Sequence, residues 1–325
     1  MKIVIPGGSG QVGTLLARAF AKDGHNVVVL SRGRANAVLW RVVPWDAASL
    51  GSWRDELEGA DAVINLAGRN VNCRYTDQNR RLIMDSRVNS TSVVGAAIGL
   101  CKTPPRVWLQ ASTATIYAHR FDAPNDESRG IVGGSEPDAP DTWRFSIDVA
   151  TSWERAANAF ELQHTRRVLL RSAITLNPDS GSAFDILLRL VRFGLGGTSG
   201  NGRQFVSWIH ETDFISAVIW LIRNESIEGA VNLAAPNPVT NDEFMRTLRE
   251  EWGSKIGLPS PGWLLEVGAM LIRTETELLL KSRRVVPGIL TAQGFQFEFP
   301  TWREAAHDLC KRWRELNGVA SNTKP

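Results

Sequence analysis

The chain has few cysteines, no long apolar run and almost no excess charge. Its three cysteines, Cys73, Cys101 and Cys310, form no CxxC pair. So sparse and odd a set argues against a disulfide scaffold or a structural zinc site and favours a reducing compartment. A transmembrane helix requires about 20 consecutive apolar residues, and no such run occurs. The first residues, MKIVIPGGSGQVG, turn glycine-rich too early for a signal peptide. We therefore expect a cytoplasmic protein without a bound metal or a membrane partner.

Charge and length narrow the class further. Lys and Arg number 37 and Asp and Glu number 34, so the net charge is +3. This balance does not suggest a nucleic-acid partner. The composition, 43% hydrophobic and 22% charged, is typical of globular proteins. We expect a folded protein that acts on a small molecule, as a monomer or homodimer.

Short apolar runs alternate with helical patterns from the first residues onward. Residues 2–5, 26–30 and 62–66 form short apolar runs, and residues 11–22 and 76–101 carry apolar side chains at helical spacing. Strands that are apolar on both faces and separated by helices are typical of a parallel sheet covered on both sides. The pattern predicts an α/β fold with a doubly wound parallel Rossmann sheet.

Domain organisation follows from length and pattern. At roughly 150 residues per domain, 325 residues suggest about two domains. We predict a dinucleotide-binding Rossmann domain over residues 1–176, with elements near 206–235 returning to it. Residues 177–325 are then a smaller, mostly helical C-terminal domain on the substrate side.

A glycine triplet stands where the first strand passes into the first helix. The sequence PGGSGQVG places glycine at positions 7, 10 and 13. Glycines allow the chain to turn tightly and a pyrophosphate to approach the backbone, while the helix N-terminus offers free N–H groups. Without a ligand, the same triplet would be a plain turn. The predicted cofactor-binding residues here are Gly7, Gly10, Gln11, Val12 and Gly13.

The end of the second predicted strand indicates which dinucleotide binds. NAD sites usually place an acid there for the ribose 2′-hydroxyl, whereas this chain has Ser31, Arg32 and Arg34. A guanidinium binds a phosphate through two hydrogen bonds. We therefore expect NADP(H) in preference to NAD(H), unless both arginines are merely solvated loop residues.

The end of the fourth predicted strand is a second candidate cofactor contact. Leu66, Ala67 and Gly68 are small or apolar residues at a carboxyl end, where a cofactor lies against the backbone of a doubly wound sheet. Arg87 follows on the next helix. Its side chain either reaches the cofactor or substrate, or is an ordinary exposed helical arginine.

Several of these motifs together resemble one family. GGSGQVG, VINLAG, MDSRVNST and ASTATIY are similar to the extended short-chain dehydrogenase/reductases. GLGGTSGNGRQFVSWIH, VNLAAPNPVTNDEF and RRVVPGILTAQGFQFEFPTW resemble the atypical "epimerase family protein" branch, with its C-terminal domain of unknown function. The resemblance implies a Rossmann domain, a nicotinamide cofactor and a substrate pocket built by the C-terminal half. The branch name does not establish a reaction.

The catalytic pair of that superfamily is missing. Most of its members use YxxxK, in which Tyr is the general acid or base and Lys lowers its pKa. The only tyrosines, Tyr75 and Tyr117, have no lysine four residues later. The register of the Trp-Glu pair at 153–154 places Ser146 and Ala150 at the two positions. Neither residue replaces the acid or the cation.

Other residues are then candidates for chemistry or binding. By resemblance, Thr113 matches the Ser or Thr that bonds the substrate oxygen, and Tyr117 lies nearby in sequence as a catalytic candidate or a packed aromatic. Ile174 and Thr175 follow the sixth strand, where the family's chain passes the nicotinamide.

The segment RQFVSWIHETD concentrates polar residues that border the substrate pocket in the superfamily. Its candidate substrate-binding residues are Arg203, Gln204, Ser207 and Trp208. A histidine can act as an acid or a base near neutral pH, so His210 is a catalytic candidate. A histidine beside an acid is also commonly a structural hydrogen-bonding residue.

The sequence thus leaves two functions open. One is an NADP(H)-dependent oxidoreductase or epimerase-like enzyme with non-standard catalytic residues, acting on a carbonyl or sugar-nucleotide-like substrate. The other is a sensor or regulatory protein that binds NADP(H) without turnover.

Overall fold

The computed structural model describes residues 1–33, 38–136, 139–259 and 281–319. The chain divides into two compact units, each assembled from three segments. Unit 1 comprises Met1–Ile116, Arg144–Ser172 and Ile215–Val231. Unit 2 comprises Tyr117–Trp143, Ala173–Phe214 and Asn232–Pro325. The predicted division at residue 176 remains a prediction.

The strands are short and spread along the whole chain. In order they are β1 (Lys2–Pro6), β2 (Asn26–Ser31), β3 (Arg41–Pro44), β4 (Ala62–Asn65), β5 (Val107–Thr113), β6 (Arg166–Ser172), β7 (Ile174–Leu176), β8 (Phe205–Val206), β9 (Trp208–His210), β10 (Gly229–Leu233) and β11 (Val239–Thr240).

The helices lie between these strands and after them. They are α1 (Gln11–Lys22), α2 (Asp77–Gly99), α3 (Asp141–Asn158), α4 (Ala183–Arg192), α5 (Glu211–Arg223), α6 (Asn241–Trp252), α7 (Gly288–Ala292) and α8 (Trp302–Asn317). The described residues contain no helix that is long and apolar enough to cross a bilayer.

Seven strands form one sheet in the order β10-β6-β5-β4-β1-β2-β3. The pairs β1–β2, β2–β3, β1–β4, β4–β5 and β5–β6 are all parallel. The chain moves outward in one direction from β1 to β3 and then returns to the other side of β1. This reversal is the switch point at which doubly wound sheets bind ligands. The predicted Rossmann architecture is confirmed.

Apolar strands explain the core of unit 1. The run Val27–Leu30 of β2 is buried throughout, as is the Val63–Ile64 pair of β4. β-Branched residues that are covered on both sheet faces favour central parallel strands. Leu16 and Phe20 on α1 are fully buried as well. Burial at this spacing fixes the start of α1 beside the end of β1.

Unit 2 has its own aromatic core. Phe184 and Leu188 of α4, Phe244 of α6 and Trp302 of α8 belong to one buried cluster. The rings of Phe244 and Trp302 stack with centroids 4.0 Å apart. Two small sheets, β7–β9 and β8–β11, complete the unit. Its helical content agrees with the mostly helical C-terminal region that the sequence predicts.

Candidate functional site

A crevice of about 430 Å³ opens in unit 1 at the carboxyl ends of β1, β2 and β4. Both sides of the β1 switch point contribute to it, as expected for a ligand site in this architecture. Seven of the predicted cofactor-binding residues line it together, namely Gly7, Gly10, Ser31, Arg32, Leu66, Ala67 and Gly68.

The glycine turn is shaped by close contacts between backbone segments. Gly7 has φ +75°, and a Cβ there would lie 2.6 Å from the Ala67 backbone. A Cβ on Gly13 would lie 2.5 Å from the Cα of Gly8. A Cβ on Gly10, by contrast, would meet only the Gly7 oxygen, at 3.7 Å. Gly7 and Gly13 are therefore required by the fold, whereas Gly10 leaves open space toward the crevice.

The N-terminus of α1 is suited to an anion. Gly10 is the N-cap residue and has no side chain to accept a hydrogen bond from the first turn, which also contains no acidic residue. The first N–H groups of a helix lack intrahelical acceptors and carry partial positive charge. Gln11, Val12 and Gly13 form this first turn, so their amides can bind a phosphate.

The end of β2 contacts the glycine turn through Ser31 and continues into Arg32. The Ser31 hydroxyl donates to the Ser9 hydroxyl at 3.1 Å and accepts from the Gly33 amide at 3.2 Å. Arg32 lines the crevice and is exposed. Within the described ranges, Arg32 forms no ion pair with a carboxylate, so its guanidinium is available to a ligand. Arg34 lies outside the described residues.

The loop after β3 also lines the crevice, although it was not predicted from the sequence. Trp45, Asp46, Ala47 and Ala48 all line the crevice. Hydrogen bonds from the Ser49 hydroxyl and from the amides of Ser49 and Ala48 lower the pKa of Asp46 to about 2. The available signal was Pro44, which closes β3 and brings the next residues to the same sheet edge as Ser31.

The end of β4 is held by a buried polar contact. The Asn65 side chain donates to Gln110 at 2.9 Å and accepts from the Ala67 amide at 3.1 Å. Both side chains are fully buried. This bracing turns Leu66, Ala67 and Gly68 toward the glycine turn, with the Leu66 amide donating to the Pro6 oxygen at 2.9 Å.

Arg87 is half-buried on α2, so it is no ordinary exposed arginine. A Cβ on Gly68 would lie 3.3 Å from its Cζ atom. The guanidinium also lies over the Trp153 ring, 5.0 Å from the centroid. Burial lowers the pKa of Arg87 to about 10. The side chain therefore sits at the carboxyl end of β4, beside a residue that lines the crevice.

The positions of the missing catalytic pair lie on α3. Ser146 is half-buried and Ala150 is fully buried. Glu154 lies one helical turn after Ala150 and two turns after Ser146. Its carboxylate accepts two hydrogen bonds from the Arg171 guanidinium, both at 2.8 Å, and one from the Ser112 hydroxyl at 2.6 Å. This part of the helix is thus committed to structural contacts.

Thr113 and Tyr117 stand close in sequence but belong to different units. Thr113 ends β5, is half-buried and accepts a hydrogen bond from the Thr115 amide at 3.2 Å. Tyr117 is 3% exposed, and its hydroxyl donates to the Asn232 side chain at 2.9 Å.

His210 is fully buried at the end of β9. Its Nε2 lies 3.0 Å from the Asp308 carboxylate, and its Nδ1 accepts from the Thr212 amide at 3.1 Å. The ring packs on Phe299 with centroids 3.9 Å apart. Both ring nitrogens are therefore engaged within unit 2.

The other residues of this segment are also packed within unit 2. The Gln204 amide donates to the Ser199 oxygen at 2.8 Å, and the Ser207 hydroxyl accepts from the Val285 amide at 2.8 Å. Trp208 is 1% exposed, whereas Arg203 is exposed.

Ile174 and Thr175 are half-buried on β7, which pairs with β9 in parallel. They share that small sheet with Trp208 and His210, so unit 2 brings these four predicted residues together.

Metal ligands were not expected from the sequence. Among the described residues, no group of three or more His, Cys, Asp or Glu side chains is placed to hold a metal ion.

Comparisons with known proteins identify relatives along nearly the whole chain. The model of the NAD dependent epimerase/dehydratase family matches residues 3–136, and a domain of unknown function, DUF1731, matches residues 260–309. The human "Epimerase family protein SDR39U1" is 30% identical over 316 residues, which cover 95% of this chain and 99% of the relative.

Solved structures show the same likeness. The crystal structure of human epimerase family protein SDR39U1 (isoform2) with NADPH matches with a TM-score of 0.82 and 30% identity, over 96% of this chain and 99% of that one. A nucleoside-diphosphate sugar epimerase from Corynebacterium glutamicum matches with a TM-score of 0.73 and 25% identity, over 98% of this chain and 62% of the other. The chain therefore belongs to the epimerase family proteins, within the NAD dependent epimerase/dehydratase family.

Proposed function

We propose that the crevice of unit 1 binds NADP(H). The observation that carries the proposal is the combination of a Cβ-free turn at Gly7 and of Arg32, which lines the crevice and has no carboxylate partner among the residues that the structure describes. The turn and the first amides of α1 hold the diphosphate, while Ser31 and Arg32 hold the 2′-phosphate. The human relative whose structure contains NADPH supports the same cofactor.

A nicotinamide cofactor bound in the crevice would supply or accept a hydride, and the chain's own residues would orient the substrate. We propose a carbonyl or sugar-nucleotide-like substrate. The nucleoside-diphosphate sugar epimerase of similar structure supports the second class. Thr113 is the best of the three catalytic candidates, because its hydroxyl is half-buried at a strand end. Tyr117 and His210 are engaged in hydrogen bonds inside unit 2, which favours structural roles for them.

A second function has its own support. Ser146 and Ala150 provide neither an acid nor a cation at the superfamily's catalytic positions. A protein that binds NADP(H) and reports its level without turnover needs no such pair. The enzyme proposal, unlike the sensor proposal, includes a substrate-binding role for Arg203, Gln204, Ser207 and Trp208. It also includes a contact of Ile174 and Thr175 with the cofactor.

Calorimetric titration with NADPH and NADH tests the cofactor. We expect NADPH to bind more tightly, and Arg32→Ala to narrow that preference by about ten- to a hundredfold, since a charge-assisted contact contributes roughly 1.5–3 kcal/mol. Arg81→Ala removes an exposed arginine of α2 and is the matched control. Equal affinity of the native chain for the two cofactors contradicts the proposal.

The same preparation separates enzyme from sensor. NADPH consumption is followed optically with a panel of aldehydes, ketones and nucleotide sugars. Turnover of any of them supports the enzyme, whereas tight NADPH binding without turnover of any supports the sensor.

A further inference from the structure

Helix α4 of unit 2 carries apolar side chains on two opposite sides. Three of them are buried in the aromatic core of the unit, namely Phe184, Leu188 and Val191. On the outer side, Ile186 and Leu190 are exposed, and Phe193 at the C-cap is 79% exposed. A surface helix ordinarily has polar residues opposite its buried face, and a helix that is apolar on both sides is usually covered. The outer side of α4 therefore has the composition of a contact surface.

A fixed turn joins this side of α4 to a second exposed segment. Gly194 follows the helix with φ +75°, and the Leu195 amide donates back to the Leu190 oxygen at 2.9 Å. This bond across a left-handed glycine is the Schellman motif that ends many helices. The Leu258 amide donates to the Gly194 oxygen at 2.8 Å, and a Cβ on Gly194 would lie 3.3 Å from the Ile256 side chain. Backbone hydrogen bonds thus hold the two segments side by side.

Six exposed apolar side chains meet in this way. We call them the α4 patch, which consists of Ile186, Leu190, Phe193, Leu195, Ile256 and Leu258. Single exposed apolar residues are normal on a protein surface. A contiguous group of large ones marks a surface that contacts another molecule or a membrane.

The rim of the α4 patch is basic. Arg189 and Arg192 are exposed on α4, and Lys255 is exposed between α6 and the end of the patch. Arg189 is paired with the buried Asp185 at 2.9 Å, whereas Arg192 and Lys255 form no ion pair among the described residues. The exposed Glu250 near the end of α6 is already paired with an arginine of α8 at 2.6 Å. An occupant of the patch should therefore present an apolar layer beside negative charge.

We propose that the α4 patch docks on the surface of an anionic lipid bilayer. Its apolar side chains enter the headgroup region, and Arg192 and Lys255 contact the charged headgroups. Buried apolar area and attraction between Lys or Arg and anionic lipids act together in such contacts. No membrane partner was expected from the sequence, because no apolar run could span a bilayer, but a surface contact requires no such run.

A second copy of the chain fits the α4 patch less well. A two-fold axis brings the same surface of both copies together, so the cations of one rim would face those of the other. Like charges across an interface are unfavourable. The docking proposal is also independent of NADP(H) binding, since every residue of the patch belongs to unit 2.

Co-sedimentation of the full chain with vesicles tests the docking. We expect binding to vesicles of equal parts phosphatidylserine and phosphatidylcholine, much weaker binding to pure phosphatidylcholine, and loss of binding in high salt. Phe193→Ser should lower the partition coefficient at least about tenfold, because a Phe side chain that leaves water contributes most of the apolar area. Lys255→Gln should lower it about fivefold.

Leu100→Ser and Lys102→Gln are the matched controls. Leu100 is the C-cap residue of α2 in unit 1 and is 60% exposed, and Lys102 is exposed two residues later. Neither substitution should change the partition coefficient. Thermal unfolding of each variant checks that it folds.

Absence of binding to the phosphatidylserine vesicles overturns the proposal. Binding that Phe193→Ser leaves unchanged also overturns it, because the chain would then adsorb through its net charge of +3 alone. Sedimentation velocity without lipid identifies the other occupant. A native homodimer that Phe193→Ser dissociates would assign the patch to a second copy in place of the bilayer.

Discussion

The crevice of unit 1 and the RQFVSWIHETD segment of unit 2 are both rich in polar residues, but the two regions use them differently. Arg32 is exposed. In the described part of the chain it has no carboxylate partner, and the Arg87 guanidinium donates hydrogen bonds only through Nη1. His210 and Ser207 are buried, with their side chains bonded to other parts of unit 2.

This difference in hydrogen bonding distinguishes a polar residue that can bind a ligand from one that stabilises the fold. A buried polar group that is satisfied by the protein lowers the free energy of the fold and has little left for a ligand. An arginine without a carboxylate partner at a strand end retains its bonding capacity. The crevice thus has the character of a binding site, and the His210 segment that of a structural one.

The largest effect is expected at Gly10. Gly10→Val places a branched side chain where the diphosphate approaches the backbone, while its Cβ has room in the fold. We expect NADPH affinity to fall by at least about a hundredfold, as for loss of several charge-assisted hydrogen bonds. Calorimetry measures the affinity, and urea unfolding should show unchanged stability. Normal NADPH binding by this variant would place the phosphate site elsewhere.

Gly7→Ala is the matched contrast. Its Cβ would meet the Ala67 backbone at 2.6 Å in a left-handed conformation. We expect it to reduce stability by about 1–3 kcal/mol, the usual effect of overpacking. Thus one glycine of the turn is required for the ligand and the other for the fold.

The next effect concerns His210. His210→Ala removes the hydrogen bonds to Asp308 and from the Thr212 amide inside the protein. We expect a loss of about 1–3 kcal/mol in the free energy of unfolding, with NADPH affinity unchanged. Urea unfolding followed by circular dichroism measures the first quantity, and His164→Ala, an exposed histidine, is the control. Loss of turnover at native stability would restore His210 as a catalytic residue.

The smallest effect is a pH dependence at Asp308. Burial acts to raise its pKa, but the hydrogen bond and charge of His210, with the charge of Arg312, hold the pKa below the ordinary value of 3.8. A carboxyl whose pKa is lowered by folding stabilises the protein above its unfolded pKa, and this contribution disappears as the pH falls through the folded one.

Asp308→Asn should therefore destabilise the protein by an amount on the order of 1 kcal/mol at neutral pH, and by less below about pH 4. Urea unfolding across that range measures both chains. A difference between them that does not change with pH would show that the ionised form of Asp308 contributes no stability.

Much of the crevice of unit 1 could be predicted, because the residues that line it are recognisable from short sequence motifs. The glycine triplet and the absence of an acid after β2 can each be recognised from a few neighbouring residues in the sequence. Parallel strands then bring their carboxyl ends to one edge of the sheet. The loop at Trp45 and Asp46 follows the same rule, because the carboxyl end of β3 lies at the same sheet edge as that of β2.

The sequence by itself determined the doubly wound sheet, the place of the dinucleotide turn and the lack of YxxxK, because each depends on residues a few positions apart. Only the tertiary structure decided what His210 and Arg87 contact. Asp308 lies 98 residues from His210, and Arg69 lies 18 residues from Arg87. Whether such a polar group is satisfied depends on which distant segment packs against it, and no local pattern records that.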